Sequence, residues 1–290
     1  MIICIVGPTG VGKTKLSIEL AKRLNGEVIN ADSTQVYTGL DIATAKVTEE
    51  EKEGIPHYLF DIKNITDEYT VFDYQKDCRN VIKDIINRNK IPIIVGGTGL
   101  YIKASLYDYQ FKKEVIKKDY SNYTNEELYN ILKSVDNNTL IHVNNRQRVE
   151  RALNYYYEHN TPMSSKDITN KLLYDVLFIG LTTDRNNLYD RINKRVDKMV
   201  NDGLIEEAKK IYDSNIRCKA VMTPIGYKEL FPYFNTEKSL EECLELIKQN
   251  SRRYAKRQYT WFNNKMNVKW FNVDFNDFSN TVNEVIKYIG

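Results

Sequence analysis

The chain opens on Ile2-Ile3-Cys4-Ile5-Val6, an unbroken apolar run rich in β-branched side chains that stops at Gly7-Pro8-Thr9-Gly10. A short run without polar alternation reads as a strand buried on both faces and entering a turn. From Lys13 to Leu24 the period changes: Leu16, Leu20, Ala21 and Leu24 recur at helical spacing, and Asn25-Gly26 supplies the stop. Val28, Ile29 and Ala31 then predict a second short strand ending at Asp32. This strand-loop-helix-strand order, with about twenty residues per crossover, predicts a parallel sheet in an α/β fold.

The same alternation recurs downstream. Residues 72–89 read as a helix and Ile91–Val95 as a buried strand, broken by Gly96-Gly97-Thr98-Gly99. Residues 176–181 form another strand-like run, 188–212 and 240–262 show helical periodicity, and 268–273 return as a last strand. Between them, residues 112–171 change character: they are polar, rich in Asn and Lys, and helical around Asn125–Val135 and 146–157. The expected organisation is therefore a parallel-sheet core of residues 1–111 and 172–290, flanked by helices and interrupted by a helical insertion domain at 112–171.

Composition narrows the class. Hydrophobic residues at 42% and charged residues at 28% describe a chain that folds, not a disordered one. Lys and Arg (42) nearly balance Asp and Glu (39), so only local clustering of basic residues can point to a nucleic-acid partner. Cys4, Cys78, Cys218 and Cys243 lie far apart, which suits neither a disulfide framework nor a zinc site and implies a reducing, cytoplasmic setting. The first apolar run is too short for a signal-peptide core or a membrane span, so the expectation is a soluble protein that is not exported.

Candidate chemistry begins at Gly7-Pro8-Thr9-Gly10-Val11-Gly12-Lys13-Thr14, a phosphate-binding loop pattern set between a predicted strand and a predicted helix. Glycines let backbone N–H groups curl around phosphate oxygens at the positive end of the helix; Lys13 adds charge and Thr14 offers a hydroxyl to Mg²⁺. Asp32, at the carboxyl end of a neighbouring strand, opens on the same crevice. It is placed to accept a proton from a nucleophile, although an Asp beside Ser33 is equally suited to capping a turn. Thr98, in the turn after the Ile91–Val95 strand, lies at the same sheet edge. An ATPase would close an apolar strand on an acid near the loop, and the best candidate, Tyr58-Leu59-Phe60-Asp61, is short and only partly apolar, which favours a transferase over a hydrolase.

On the last long helix, Lys248, Arg252 and Lys256 fall at i, i+4 and i+8 with Arg253 and Arg257 alongside, and no acid intervenes. This pattern suits a phosphate-tracking stripe, and it also suits a solvated helix face. Ile247, Tyr254 and Trp261 on the other side are expected to pack on the core. A second basic group gathers Arg146, Arg148 and Arg151 around Gln147. On residues alone, an ATP-dependent small-molecule kinase and a non-catalytic RNA-binding nucleotide switch stand beside a transferase.

These strings together resemble the bacterial tRNA dimethylallyltransferases, also called tRNA isopentenylpyrophosphate transferases, over nearly the whole chain. The resemblance is carried by residues 7–14, Asp32-Ser33-Thr34-Gln35-Val36-Tyr37, Thr44-Ala45-Lys46, Pro56-His57-Tyr58, Val95-Gly96-Gly97-Thr98-Gly99-Leu100-Tyr101, Gln147-Arg148-Val149-Glu150-Arg151-Ala152-Leu153, Gly226-Tyr227-Lys228-Glu229, and Arg252-Arg253-Tyr254-Ala255-Lys256-Arg257-Gln258 followed by Trp261-Phe262. Ala43, Val47 and Pro224 depart from the family pattern, in loops beside the site. The resemblance implies transfer of a dimethylallyl group from its diphosphate to N6 of the adenosine 3′ of the anticodon, in tRNAs reading codons that begin with U. It implies Asp32 as the base, Thr98 orienting the amine or a diphosphate oxygen, residues 7–14 holding diphosphate, and Mg²⁺ on Thr14. It further implies contact of Asp32, Ser33, Thr34, Gln35, Gln147, Arg148, Val149, Glu150 and Arg151 with tRNA. The expected partners are the tRNA anticodon stem-loop and dimethylallyl diphosphate, with no membrane and a monomeric chain.

Overall fold

In the computed structural model, residues 1–111, 118–165 and 171–290 are described; segments 112–117 and 166–170 of the expected insertion lie outside them. β1 (Ile2–Val6) leads through the glycine-rich turn into α1 (Lys13–Leu24), and the chain returns in β2 (Gly26–Asn30). It continues through α2 (Glu49–Lys52), β3 (His57–Tyr58), α3 (Val71–Asn87), β4 (Ile91–Val95) and α4 (Gly99–Leu106). After α5 (Asn125–Val135) and α6 (Arg146–His159) come β5 (Val176–Thr182), α7 (Arg185–Asn201), α8 (Leu204–Asp213), α9 (Lys219–Met222) and α10 (Phe231–Phe234). α11 (Leu240–Lys265), β6 (Lys269–Asn272) and α12 (Phe278–Ile289) complete the chain.

The strands form one parallel sheet in the order β3-β2-β4-β1-β5-β6. The fold is thus the expected α/β arrangement, a parallel sheet with helices on both faces. β1 sits between β4 and β5 and is buried along its whole length, which is why it shows no polar alternation. Its side chains divide by the period of two: Ile2, Cys4 and Val6 enter one core with α3, α4, α8 and α11, while Ile3 and Ile5 enter the other with α1 and α12.

Among the boundaries that differ from the sequence pattern, three have a plain physical reason. Asn25 alone stops α1, in a left-handed conformation with its N–H on the Ala21 carbonyl, and Gly26 already belongs to β2. β2 closes at Asn30 instead of running to Asp32, because the Asn30 side chain turns the chain: its Nδ2 donates to the carbonyls of Asp32 and Leu59, and its Oδ1 accepts from the Asp32 N–H at 2.9 Å. The helical stretch 188–212 is two helices, α7 and α8, broken at Gly203, whose φ of 103° ends the first and starts the second.

The chain divides into two compact units, Met1–Tyr107 with Leu172–Gly290, and Asp108–Lys171. The first holds the sheet. In the second, α5 sets Leu128 and Leu132 against Val149, Ala152 and Leu153 of α6. Thr124 caps α5 through a reciprocal bond with Glu127, and Arg146 donates to the carbonyls of Tyr120 and Tyr123, tying the start of α6 to the turn before α5.

Candidate active site

The carboxyl ends of β1, β2 and β4 open on one side of the sheet, where open parallel sheets bind ligands. A cleft of about 830 Å³ lies there, lined among others by Lys13, Thr14, Asp32, Arg195, Tyr254 and Arg257. The glycine-rich turn of residues 7–14 joins β1 to α1. Gly12 stands at the helix N-cap with φ 100°, a conformation that a side chain would strain, and no side chain caps the first N–H groups of α1. Those unsatisfied donors and the helix dipole make the turn an anion cradle.

Three cations converge on it. Lys13 Nζ donates to the Pro8 carbonyl at 2.8 Å, and burial, reinforced by the neighbouring Arg195, pulls its pKa down to about 7 against the opposing pull of Asp32. Arg195 donates to Thr9 Oγ1 at 2.9 Å, and its own pKa is lowered by burial. Arg191, one turn earlier on α7, donates from Nε to the Gly10 carbonyl at 3.1 Å and stacks on Phe275. The sequence reading treated α7 as helical periodicity alone and missed both arginines. Their i, i+4 spacing on a helix that follows a strand beside β1 was the available signal.

Asp32 fills the turn-capping role and also faces the cleft. Its Oδ1 accepts from the Thr34 N–H (2.9 Å) and hydroxyl (2.7 Å), which is the turn-capping role. Oδ2 has no hydrogen-bond partner among the described residues, and the residue lines the cleft. Thr98 Oγ1 accepts from the Ser33 N–H at 3.0 Å and lies 3.3 Å from Ser33 Oγ, so the β4 turn braces the β2 turn. Gln35 Nε2 donates to the carbonyls of Thr44 and Ala45, holding the 41–46 loop over the cleft. Tyr254 also lines the cleft instead of packing into the core as expected; burial and then the Asp32 carboxylate raise its phenol well above the ordinary value.

The remaining strings of the resemblance hold this scaffold. Glu207 accepts from the backbone N–H groups of Asp41, Ile42 and Ala43 and from the Tyr227 hydroxyl at 2.7 Å. Glu229 accepts from the Gly226 N–H and from Asn250 of α11. Tyr58 donates to buried Glu27, which also takes a two-pronged contact from Arg88. Glu207→Ala is expected to cost about 2 kcal/mol, in the range for hydrogen bonds to a charged group, while Glu207→Gln costs less because it keeps one acceptor. Chemical denaturation reads both. Asp61 binds Lys46 at 2.5 Å and is not among the residues that line the cleft.

The donor set suits Mg²⁺ held mainly by a substrate. No cluster of three His, Cys, Asp or Glu side chains able to hold a metal occurs among the described residues, whereas Thr14 and Asp32 line the cleft beside the glycine-rich turn. Mg²⁺ commonly takes one or two protein oxygens and fills its shell with phosphate and water.

The family model described as IPP transferase matches residues 35–265. The chain is 50% identical to a tRNA dimethylallyltransferase of Anoxybacillus flavithermus, across 99% of this chain and 96% of that protein. The chain belongs to the IPP transferase family. A full-length tRNA isopentenylpyrophosphate transferase from Bacillus halodurans superposes with a TM-score of 0.77 at 45% identity, covering 99% of this chain and 95% of that one. A eukaryotic dimethylallyltransferase crystallised acting on tRNA gives 0.84 at 32% identity, covering 98% and 77%. The phosphate loop precedes the span of the IPP transferase model, and the full-length relatives extend the likeness over it.

Within this family framework the two basic clusters behave differently from simple stripes. On α11, Lys248 pairs with Asp197 (2.6 Å), and Arg252 binds Glu245 (2.9 Å) and Asn193 (2.7 Å), so both fasten the helix to its own surroundings. Arg253, Lys256 and Arg257 are exposed. On α6, in the other unit, Gln147, Arg148 and Arg151 are exposed and Glu150 pairs with Arg146. Val149 is a correction: it is fully buried against α5 and offers RNA no side chain.

Proposed function

We propose that the chain transfers the dimethylallyl group of dimethylallyl diphosphate to N6 of the adenosine 3′ of the anticodon, in tRNAs that read codons beginning with U, and releases diphosphate. The observation that carries this reading is the unengaged Asp32 Oδ2 sharing one cleft with the cations of the phosphate loop. N6 attacks the allylic carbon as the carbon–oxygen bond to diphosphate breaks. The bonding pair leaves on the diphosphate oxygen, and Asp32 Oδ2 takes the N6 proton. Lys13, Arg195 and the backbone N–H groups of residues 10–14 stabilise the negative charge that grows on the leaving group.

Mg²⁺, bound by Thr14 and the diphosphate oxygens, would supply further charge neutralisation there. Thr98 holds Ser33, and with it the Asp32 turn, where the amine is presented. The target base leaves the anticodon-loop stack to reach this depth, its neighbours held by Ser33, Thr34 and Gln35. Gln147, Arg148, Glu150 and Arg151 of α6 and Arg253, Lys256 and Arg257 of α11 hold the surrounding RNA. The enzyme works as a monomer and in the cytoplasm, a reducing setting that suits its four free cysteines. No helix among the described residues is long and apolar enough to cross a membrane.

The test is incubation with labelled dimethylallyl diphosphate, MgCl₂ and unmodified tRNA, beside a tube with labelled ATP. Label entering tRNA in the first tube alone is expected; phosphoryl transfer from ATP to a small acceptor would overturn the reading. The split within α11 gives a second expected result. Removing Arg253, Lys256 and Arg257 flattens the salt dependence of tRNA binding by roughly one unit or somewhat less per contact. Removing Lys248 and Arg252 lowers the melting temperature and leaves that slope nearly unchanged. Equal slopes in all three proteins would assign Arg253, Lys256 and Arg257 to solvent.

A further inference from the structure

Gln258 stands where three parts of the site meet. It is 5% exposed, on the inner face of α11, directly after the exposed Lys256 and Arg257. Its Oε1 accepts from the Thr9 N–H of the phosphate loop at 2.9 Å, across 249 residues of sequence. Its Nε2 donates to the Gly97 carbonyl at 3.3 Å, in the turn that carries Thr98. The fit is tight: a Cβ on Gly97 would lie 2.0 Å from Gln258 Nε2, and one on Gly99 would lie 2.2 Å from Trp261, one turn further along α11. The glycines of this turn therefore admit α11 at close range, and one side-chain amide joins α11, the Thr98 turn and a backbone donor of the phosphate loop.

We propose that Gln258 is a positioning residue that couples RNA docking on the outer face of α11 to the donor geometry of the phosphate loop, a role that rests on the RNA-binding reading of α11 above. An α11 restrained by RNA phosphates at Arg253, Lys256 and Arg257 restrains Thr9 through Gln258, so less ordering of the loop is left for diphosphate to impose. Binding energies are linked reciprocally, so diphosphate tightens RNA binding by the same factor.

The experiment is calorimetric titration of inorganic diphosphate into the full chain, with and without a saturating unmodified anticodon stem-loop RNA. In the wild type the RNA is expected to tighten diphosphate binding by about 5- to 150-fold, the usual span of coupling between sites. In Gln258→Met, which keeps the volume and removes both hydrogen bonds, this ratio falls to near one while the RNA alone still binds. Gln258→Asn, too short to reach both partners, gives the same loss of coupling and carries the test if the Met variant melts early. A ratio in both variants equal to that of the wild type, or a wild-type ratio of one with RNA bound, overturns the coupling alone. A wild-type protein that fails to bind the RNA overturns the RNA-binding reading and the coupling with it.

Discussion

Asp32→Asn is expected to bind both substrates and to lose turnover by roughly 10²- to 10⁴-fold, the usual contribution of a general base. The structure makes this substitution selective. Asn keeps an Oδ1 that accepts from the Thr34 N–H and hydroxyl, so the turn survives; only the open Oδ2 becomes an amide that cannot take a proton. Diphosphate still meets Lys13, Arg195 and the loop amides. Asp32 also raises the pKa values of Lys13 and Arg195, so its loss leaves Lys13 with a lower one, and the comparison belongs at a pH below 7. Single-turnover rates at saturating tRNA decide the matter. Near wild-type rates would reduce Asp32 to a turn cap, a role that Asn fills about as well.

Diphosphate binding is expected to weaken as pH rises above 7, by up to about tenfold per unit, and to lose this dependence in Lys13→Met. The cause is that burial holds the free Lys13 pKa at about 7, whereas an anion in the loop favours the ammonium. Above that pH the site must take up a proton to bind, which costs more at each further unit until the pKa of the complex is passed. Titration of inorganic diphosphate at several pH values, in buffers of different ionisation enthalpy, reads the affinity and the proton together. A flat profile in the wild type would show Lys13 already charged in the empty site. The same depressed pKa sets the sign for stability. The unfolded chain binds a proton that the empty folded site does not, so the stability of the unliganded protein rises with pH between about 7 and 10.5.

Much of this was legible in order along the chain. β1, α1 and β4 lie where the apolar runs and the helical period put them, because burial of one face imposes its period on the residues that build it. The glycine-rich turn was legible too, since its φ values and bare N–H groups are demands made within eight residues. Family membership followed from many such short strings in one sequence. What each charged group does was decided by tertiary structure. Lys248 and Arg252 carry the same local pattern as Lys256, yet they meet Asp197, Glu245 and Asn193, while Lys256 meets solvent. Arg195 reaches Thr9 from 186 residues away, and Gln258 reaches it from 249. Val149 sat inside a recognisable string, and only the packing of α5 showed that it faces inward. Periodicity states which face of an element is buried, a property of neighbouring residues; the partner it is buried against depends on strand order and helix packing, which bring together residues that share no local pattern.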